Sequence, residues 1–332
     1  MVFHPAIIAL YAASFFICFM AVYSAYHGVQ IQRRWDLKSG SDLQLILERR
    51  TYLISTILTY VFGFELISFF LYIYTADRLH NLFVGAMCAA GTLQVNEYGY
   101  PALLFKMANF ILAGLWLILN YTDNRAYDYP LTKKKYLVLL GLTPFLLAEM
   151  YLQAGYFLNL RPNIITSCCG SLFSAGQNTL ASDLAAIPPT PMKWVFYLIS
   201  GLTFLCGFLF YKKGRGGYLF AAMSALTFLV SIVAIISFIS LYYYELPTHH
   251  CPFCILQGEY HYIGYLLYGT IFGSAITGMG VGILAPFRKR ESLAGIIPSL
   301  QKKMALWSLI MLLAFAGIVT YRMVFTDFIL GG

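Results

Sequence analysis

Eight stretches of this chain, each about 20 residues long and nearly free of charge, leave few folds open to it. They fall at about 5–27, 51–74, 100–121, 136–157, 193–211, 217–244, 261–286 and 304–325. Lipid offers no partner for an open strand edge or an irregular backbone, so runs of this length must cross the bilayer as helices. The expected fold class is therefore an all-α polytopic membrane protein with about eight transmembrane helices. Composition agrees, since only 11% of the 332 residues are charged, 60% are hydrophobic and 17% aromatic. A soluble domain carries about 25% charged residues and has no means of hiding so much apolar surface. No basic segment or small-residue cleavage site precedes the first run, which is expected to be a permanent span rather than a removable signal.

The net charge of +8 does not point to nucleic acid, because the basic residues sit in short clusters between the apolar runs. Arg33, Arg34, Lys38, Arg49 and Arg50 follow the first run, and Arg125, Lys133, Lys134 and Lys135 follow the third. Lys212, Lys213 and Arg215 follow the fifth, and Arg288, Lys289, Arg290, Lys302 and Lys303 follow the seventh. Cytoplasmic loops carry such excesses. Both termini and the loops 75–99, 158–192 and 245–260 are accordingly expected outside.

The chain also has the look of an internal repeat. Cys88-Ala-Ala-Gly-Thr-Leu-Gln, followed by Leu103-Leu104, aligns without gaps to Cys251-Pro-Phe-Cys-Ile-Leu-Gln, followed by Leu266-Leu267. Each copy lies in the outer loop between the second and third span of its half, which predicts two parallel four-helix units. Chance matching in Leu-rich sequence is the competing explanation. The expected organisation is a membrane unit over 1–160, an outer connector over 161–192, and a second unit over 193–332. Pro188-Pro189-Thr190-Pro191 marks the connector's end.

Of seven cysteines, Cys18 and Cys206 lie within spans and are expected to act as small hydrophobes. Cys88, Cys168, Cys169, Cys251 and Cys254 fall in or beside the outer loops, where an oxidising compartment favours disulfides, redox centres or metal ligands. The sharpest motif is His249-His250-Cys251-Pro252-Phe253-Cys254, just before the seventh span. A Cys-x-x-Cys pair can close a small reversible disulfide, and a helix start would lower the pKa of its first thiolate. The motif is also compatible with a static disulfide.

Cys251-Pro-Phe-Cys254-Ile-Leu-Gln257 resembles the active-site motif of the bacterial membrane proteins that form disulfides by passing electrons to quinone. More distantly it is similar to the vitamin K epoxide reductases. The resemblance implies a four-helix bundle with Cys251 and Cys254 as the quinone-proximal pair. Gly258 stands where the first family commonly has Arg, and the span number is doubled. Cys168 and Cys169, adjacent in the longest outer loop, are expected to pair elsewhere, bind a metal or serve in exchange, because a disulfide between neighbours is strained. One of them would relay electrons to Cys251 and Cys254, with Cys88 as resolving partner. A structural disulfide from this loop to Cys88 is the plainer alternative. The vicinal pair also resembles that of the mercuric-ion transport proteins.

The same residues support a metal reading, in which His249, His250, Cys251, Cys254 and His261 approach one Cu(I) or Zn ion. Within the spans, Glu65, Lys106 and Glu149 each lie about 9–15 Å below the outer boundary at the helical rise. Buried ionisable groups in a membrane often mark proton, ion or ligand sites. A Glu65–Lys106 ion pair, or a Lys106 reaching toward the surface, is the structural alternative. Gln257 and Tyr260 complete the set of residues expected to meet a quinone, although tyrosines near the boundary also serve as membrane anchors. A haem held by two histidines is disfavoured, since no His lies mid-span.

The leading expectation is an extracytoplasmic thiol–disulfide redox protein of a bacterial inner membrane, with Cys251 attacking, Cys254 resolving, Cys88, Cys168 and Cys169 exchanging with that pair, and a quinone or similar carrier taking or giving electrons. A thioredoxin-like protein would be its outer partner and lipid its surroundings. The first alternative is a transporter or membrane chaperone for copper, zinc or mercury. The second is a non-catalytic membrane subunit or assembly factor whose cysteines only staple loops. No G-x-x-x-x-G-K-[ST] segment is present, so energy coupling would come from a gradient, a redox carrier or a partner.

Overall fold

In the computed structural model, residues 3–36, 39, 41–161, 165–166 and 187–328 are described. Among them there is no strand, and eight helices are long and apolar enough to cross a membrane. The helices are α1 (Pro5–Arg34), α2 (Asp42–Arg78), the short α3 (Ala89–Leu93), α4 (Gly99–Asp123) and α5 (Thr132–Leu158). There follow α6 (Pro189–Lys213), α7 (Gly217–Tyr244), α8 (Ile263–Leu284) and α9 (Ile296–Val324). The protein is thus an all-α multi-pass membrane protein.

Two compact units divide the chain. One comprises 1–75, 96–160 and 287–297, and the other 76–95, 161–286 and 298–332. They differ from the sequence halves 1–160 and 193–332 mainly because the loop 76–95, with Cys88, belongs to the second unit.

In the first unit α5 packs against α1 and α4 around Phe62, Trp116, Tyr136 and Leu139, all fully buried. Trp116 donates its indole N–H to the Lys135 carbonyl at 3.0 Å, so the largest core side chain also meets its polar requirement. Two buried ion pairs cross this unit. Lys135 Nζ meets Asp123 Oδ2 at 2.7 Å, and Lys106 Nζ meets Glu149 Oε1 at 2.6 Å. The expected Glu65–Lys106 pair is therefore replaced by Lys106–Glu149, and Lys106 does not reach the surface, being fully buried. Hydrophobicity put all three groups at one depth, but helix rotation chose the partner.

In the second unit α7 packs against α6 and α8. Small residues set that approach: a side chain at Gly278 would strike Ser224, and one at Gly282 would strike Ala221. Near its end α7 widens into a π-type turn over Ile235–Ile239. Such turns leave carbonyls without their usual partner. His250 takes one of them, its Nδ1 lying 3.0 Å from the Ile236 carbonyl. Beyond Tyr244 the helix ends at Glu245 in a left-handed conformation, φ 55°. Arg322 of α9 caps this end, donating to the carbonyls of Tyr242 and Tyr243 and to Glu245 Oε1 at 2.8 Å.

Candidate functional site

The second unit gathers three thiols. Cys88 and Cys251 are fully buried and Cys254 nearly so. Their sulfurs all lie within 4.8 Å of one another, with Cys88 Sγ 3.5 Å from Cys251 Sγ.

Tyrosines hold the Cys-x-x-Cys loop. The Tyr244 hydroxyl donates to the Cys251 carbonyl at 2.6 Å and accepts from the Ile255 N–H at 2.9 Å, bridging both ends of the motif. Tyr268 of α8 donates to the Pro252 carbonyl at 2.8 Å. Within the loop, Leu256 N–H reaches the Phe253 carbonyl and Gln257 N–H the Cys254 carbonyl, closing a 3₁₀ turn over Cys254–Leu256. Gly264 at the start of α8 lets that turn settle on the helix, since a Cβ there would come within 2.9 Å of the Ile255 carbonyl oxygen.

Cys88 arrives on the loop 76–95. Asp77 Oδ1 accepts from the Ala89 N–H at 3.2 Å, and the Thr92 hydroxyl donates to the Ala76 carbonyl at 2.8 Å. Gly85 adopts φ +89°, and a side chain there would collide with the Thr166 carbonyl, whose own residue donates its N–H to the Val84 carbonyl. Gln257 then joins the two loops. Its Nε2 donates to Asp77 Oδ1 at 3.0 Å and to the Met87 carbonyl at 2.9 Å.

The helix-dipole expectation for Cys251 is corrected. Cys251 lies twelve residues before the first residue of α8, Ile263, and two short 3₁₀ turns and the left-handed residues His261 and Tyr262 intervene. No long helix starts at the dithiol. The group facing Cys254 is instead His249, whose Nε2 is 3.4 Å from Cys254 Sγ. His249 rests edge-on against Tyr244 with ring centroids 4.5 Å apart, and Tyr260 packs on the same ring at 4.9 Å. Burial, with Cys254 and Glu259 nearby, pushes the Tyr260 phenol up, so its ring is a neutral wall of the site.

The sequence-expected residues separate into several places. Cys88, Cys251 and Cys254 come together with His249 alongside. His250 turns to Ile236, and His261 is exposed and stands outside the thiol group. Gln257 spends its amide N–H groups on holding the Cys88 loop. Glu65, Lys106 and Glu149 form a buried group within the first unit. Cys168 and Cys169 lie outside the described residues. Asp77 and Tyr268 carried no expectation from the sequence, and Tyr244 was expected only as a membrane anchor or a neighbour of a quinone, not as a support of the dithiol loop. An acid at the end of a span, beside a cysteine-bearing loop, was the available signal for Asp77.

Chemically, three buried thiols at this spacing suit two tasks. A sulfur within van der Waals distance of another can attack or leave in thiol–disulfide exchange. Three thiolates also form a soft ligand set, and an ion bound at about 2.3 Å from each needs sulfurs about 4 Å apart. No family model, curated protein or solved structure matches the chain.

Proposed function

We propose that the protein is an integral membrane thiol–disulfide oxidoreductase working on the extracytoplasmic side. The observation that carries the reading is the 3.5 Å approach of Cys88 Sγ to Cys251 Sγ, with Cys254 inside the same group. In the proposed exchange the Cys88 thiolate attacks Sγ of Cys251 in a Cys251–Cys254 disulfide. The Cys88–Cys251 bond forms, the Cys251–Cys254 bond breaks, and Cys254 leaves as a thiolate beside His249. That step moves no net electrons. Net turnover oxidises an external dithiol to a disulfide, and its two electrons and two protons convert a membrane quinone to quinol. The quinone enters through the motif resemblance at Cys251–Gln257, and the outer location through the placement of Lys and Arg.

Differential thiol labelling with mass spectrometry, on the protein in its native membrane, tests this. The expected result is a disulfide among Cys88, Cys251 and Cys254 that opens with mild reductant and closes again with added quinone. Full thiol-oxidising activity in the Cys251→Ala, Cys254→Ala double variant would overturn it. A second reading, capture of a soft metal ion such as Cu(I), Zn or mercury, is favoured by the same three sulfurs together with His249. It predicts stoichiometric metal in the purified protein, lost in the Cys88→Ser variant. A disulfide resistant to mild reductant, with no metal, indicates a structural staple.

A further inference from the structure

The first unit contains a second polar group that the thiol chemistry does not use. Glu65 of α2, Lys106 of α4 and Glu149 of α5 are 1%, 0% and 2% exposed, inside helices that span the membrane. Lys106 and Asn109 give each Glu149 oxygen a donor, with Nζ on Oε1 and Nδ2 on Oε2, each at 2.6 Å. Glu65 receives less. Its Oε2 is 3.4 Å from the Ser68 hydroxyl, which Lys106 Nζ also reaches at 3.2 Å, while Glu65 Oε1 finds no partner. Asn109 Oδ1, buried in the same group, likewise lacks a donor.

The charges do not balance if both acids ionise. Among the described residues Lys106 is the single cation of this group, and Glu149 holds it. Glu65 faces Glu149 and Lys106, the Cys18 thiol of α1 faces the same group, and Tyr72 of α2 lies under Lys106. An ionised Glu65 would leave a net negative charge buried inside a membrane-spanning helix bundle, which is far costlier than keeping the carboxyl neutral. A metal cation is a poor substitute, because Lys106 would repel it and, among the described residues of the group, only two oxygens lack partners. A proton removes the charge and turns one Glu65 oxygen into a donor.

The group is also within reach of the bilayer. An apolar groove of about 660 Å³ runs between α1 and α2, lined by Ala13, Ile17, Val61, Phe64 and Ile67, and Ser68 forms part of its wall. Phe64 and Ile67 are more than half exposed on this spanning helix and so face lipid. We propose that Glu65 is a proton-binding site inside the membrane, loaded at neutral pH and reached from the groove beside Ser68. Glu149 stays ionised against Lys106, and the two acids thus have separate roles. The proposal is independent of the thiol reading, since it concerns the other unit.

The experiment treats the full chain in native membranes with dicyclohexylcarbodiimide, an apolar reagent that modifies protonated carboxyls from the lipid phase, and maps adducts by mass spectrometry. The expected result is modification at Glu65, absent at Glu149, declining as pH is raised and lost in E65Q. Infrared spectra should show a protonated-carboxyl C=O band that shifts in deuterated water and disappears in E65Q. Equal modification of Glu65 and Glu149, or the absence of that infrared band, overturns the proposal. A band without carbodiimide modification overturns the groove as the route. The adduct pattern and the deuterium shift are read on the unaltered protein, so they hold even if E65Q folds poorly.

Discussion

Gln257 Nε2 donates to Asp77 Oδ1 at 3.0 Å, linking residues 180 positions apart, and the same Nε2 holds the Met87 carbonyl next to Cys88. This contact sets where Cys88 stands relative to Cys251. Asp77 in turn fixes the Ala89 N–H, so one carboxylate oxygen joins both loops.

Replacing Gln257 with Leu removes both donations while keeping most of the side-chain volume. We expect the Cys88 loop to loosen and the yield of Cys88–Cys251 cross-link, measured with a short bifunctional thiol reagent, to fall. Each lost hydrogen bond, including the charge-assisted one to Asp77, is worth about 0.5–3 kcal/mol. An unchanged cross-link yield would show that packing alone positions Cys88.

Tyr244→Phe tests the support of the dithiol. The change deletes a donor to the Cys251 carbonyl and an acceptor for the Ile255 N–H, both buried. Leaving such backbone groups unsatisfied costs about 1–3 kcal/mol each. The expected outcome is a lower Tm in detergent and faster alkylation of Cys254. A variant with the parent's Tm and alkylation rate would mean that the loop is held from elsewhere.

The Lys106–Glu149 pair gives a contrast between breaking and replacing. Glu149→Gln combined with E65Q should destabilise the first unit by about 3–5 kcal/mol, because the Lys106 charge remains buried with neither carboxylate to meet it. Lys106→Met together with Glu149→Leu should recover most of that loss, since an apolar pair avoids the desolvation cost. Thermal unfolding in detergent separates the two. Equal losses in both variants would assign the cost to packing instead.

Asp123 joins charge pairing to the start of a helix. Oδ1 accepts from the Leu131 N–H at 2.7 Å, and Oδ2 meets the Thr132 hydroxyl and Lys135 Nζ. Asp123→Ala should therefore lower stability by at least about 3 kcal/mol, with protease cleavage in the turn at 124–131 as the specific readout. Retained protection of that turn would contradict the role given to Asp123.

The legible part of the fold and site was the part carried by local chemistry. Eight apolar runs and a Cys-x-x-Cys segment announce themselves within a few dozen residues, and the outer placement of Cys88 and Cys251 named both as exchange partners, which the structure brings to 3.5 Å. The helix-start argument for Cys251 failed because the left-handed backbone at His261 and Tyr262 delays α8, and nothing in an apolar run shows where its first hydrogen-bonded turn closes.

Sequence by itself determined that the chain crosses the membrane, about where each crossing lies, and which depth Glu65, Lys106 and Glu149 share. Hydrophobic transfer depends on the residues of each run alone, so it can be read without knowing the partners. Tertiary structure decided which groups meet: Lys106 with Glu149 rather than Glu65, Gln257 with Asp77 rather than a ligand, His250 with a π-turn carbonyl rather than an ion. Those choices depend on helix rotation and loop closure to within about 1 Å, the tolerance of a hydrogen bond, and that information exists only once the helices have packed.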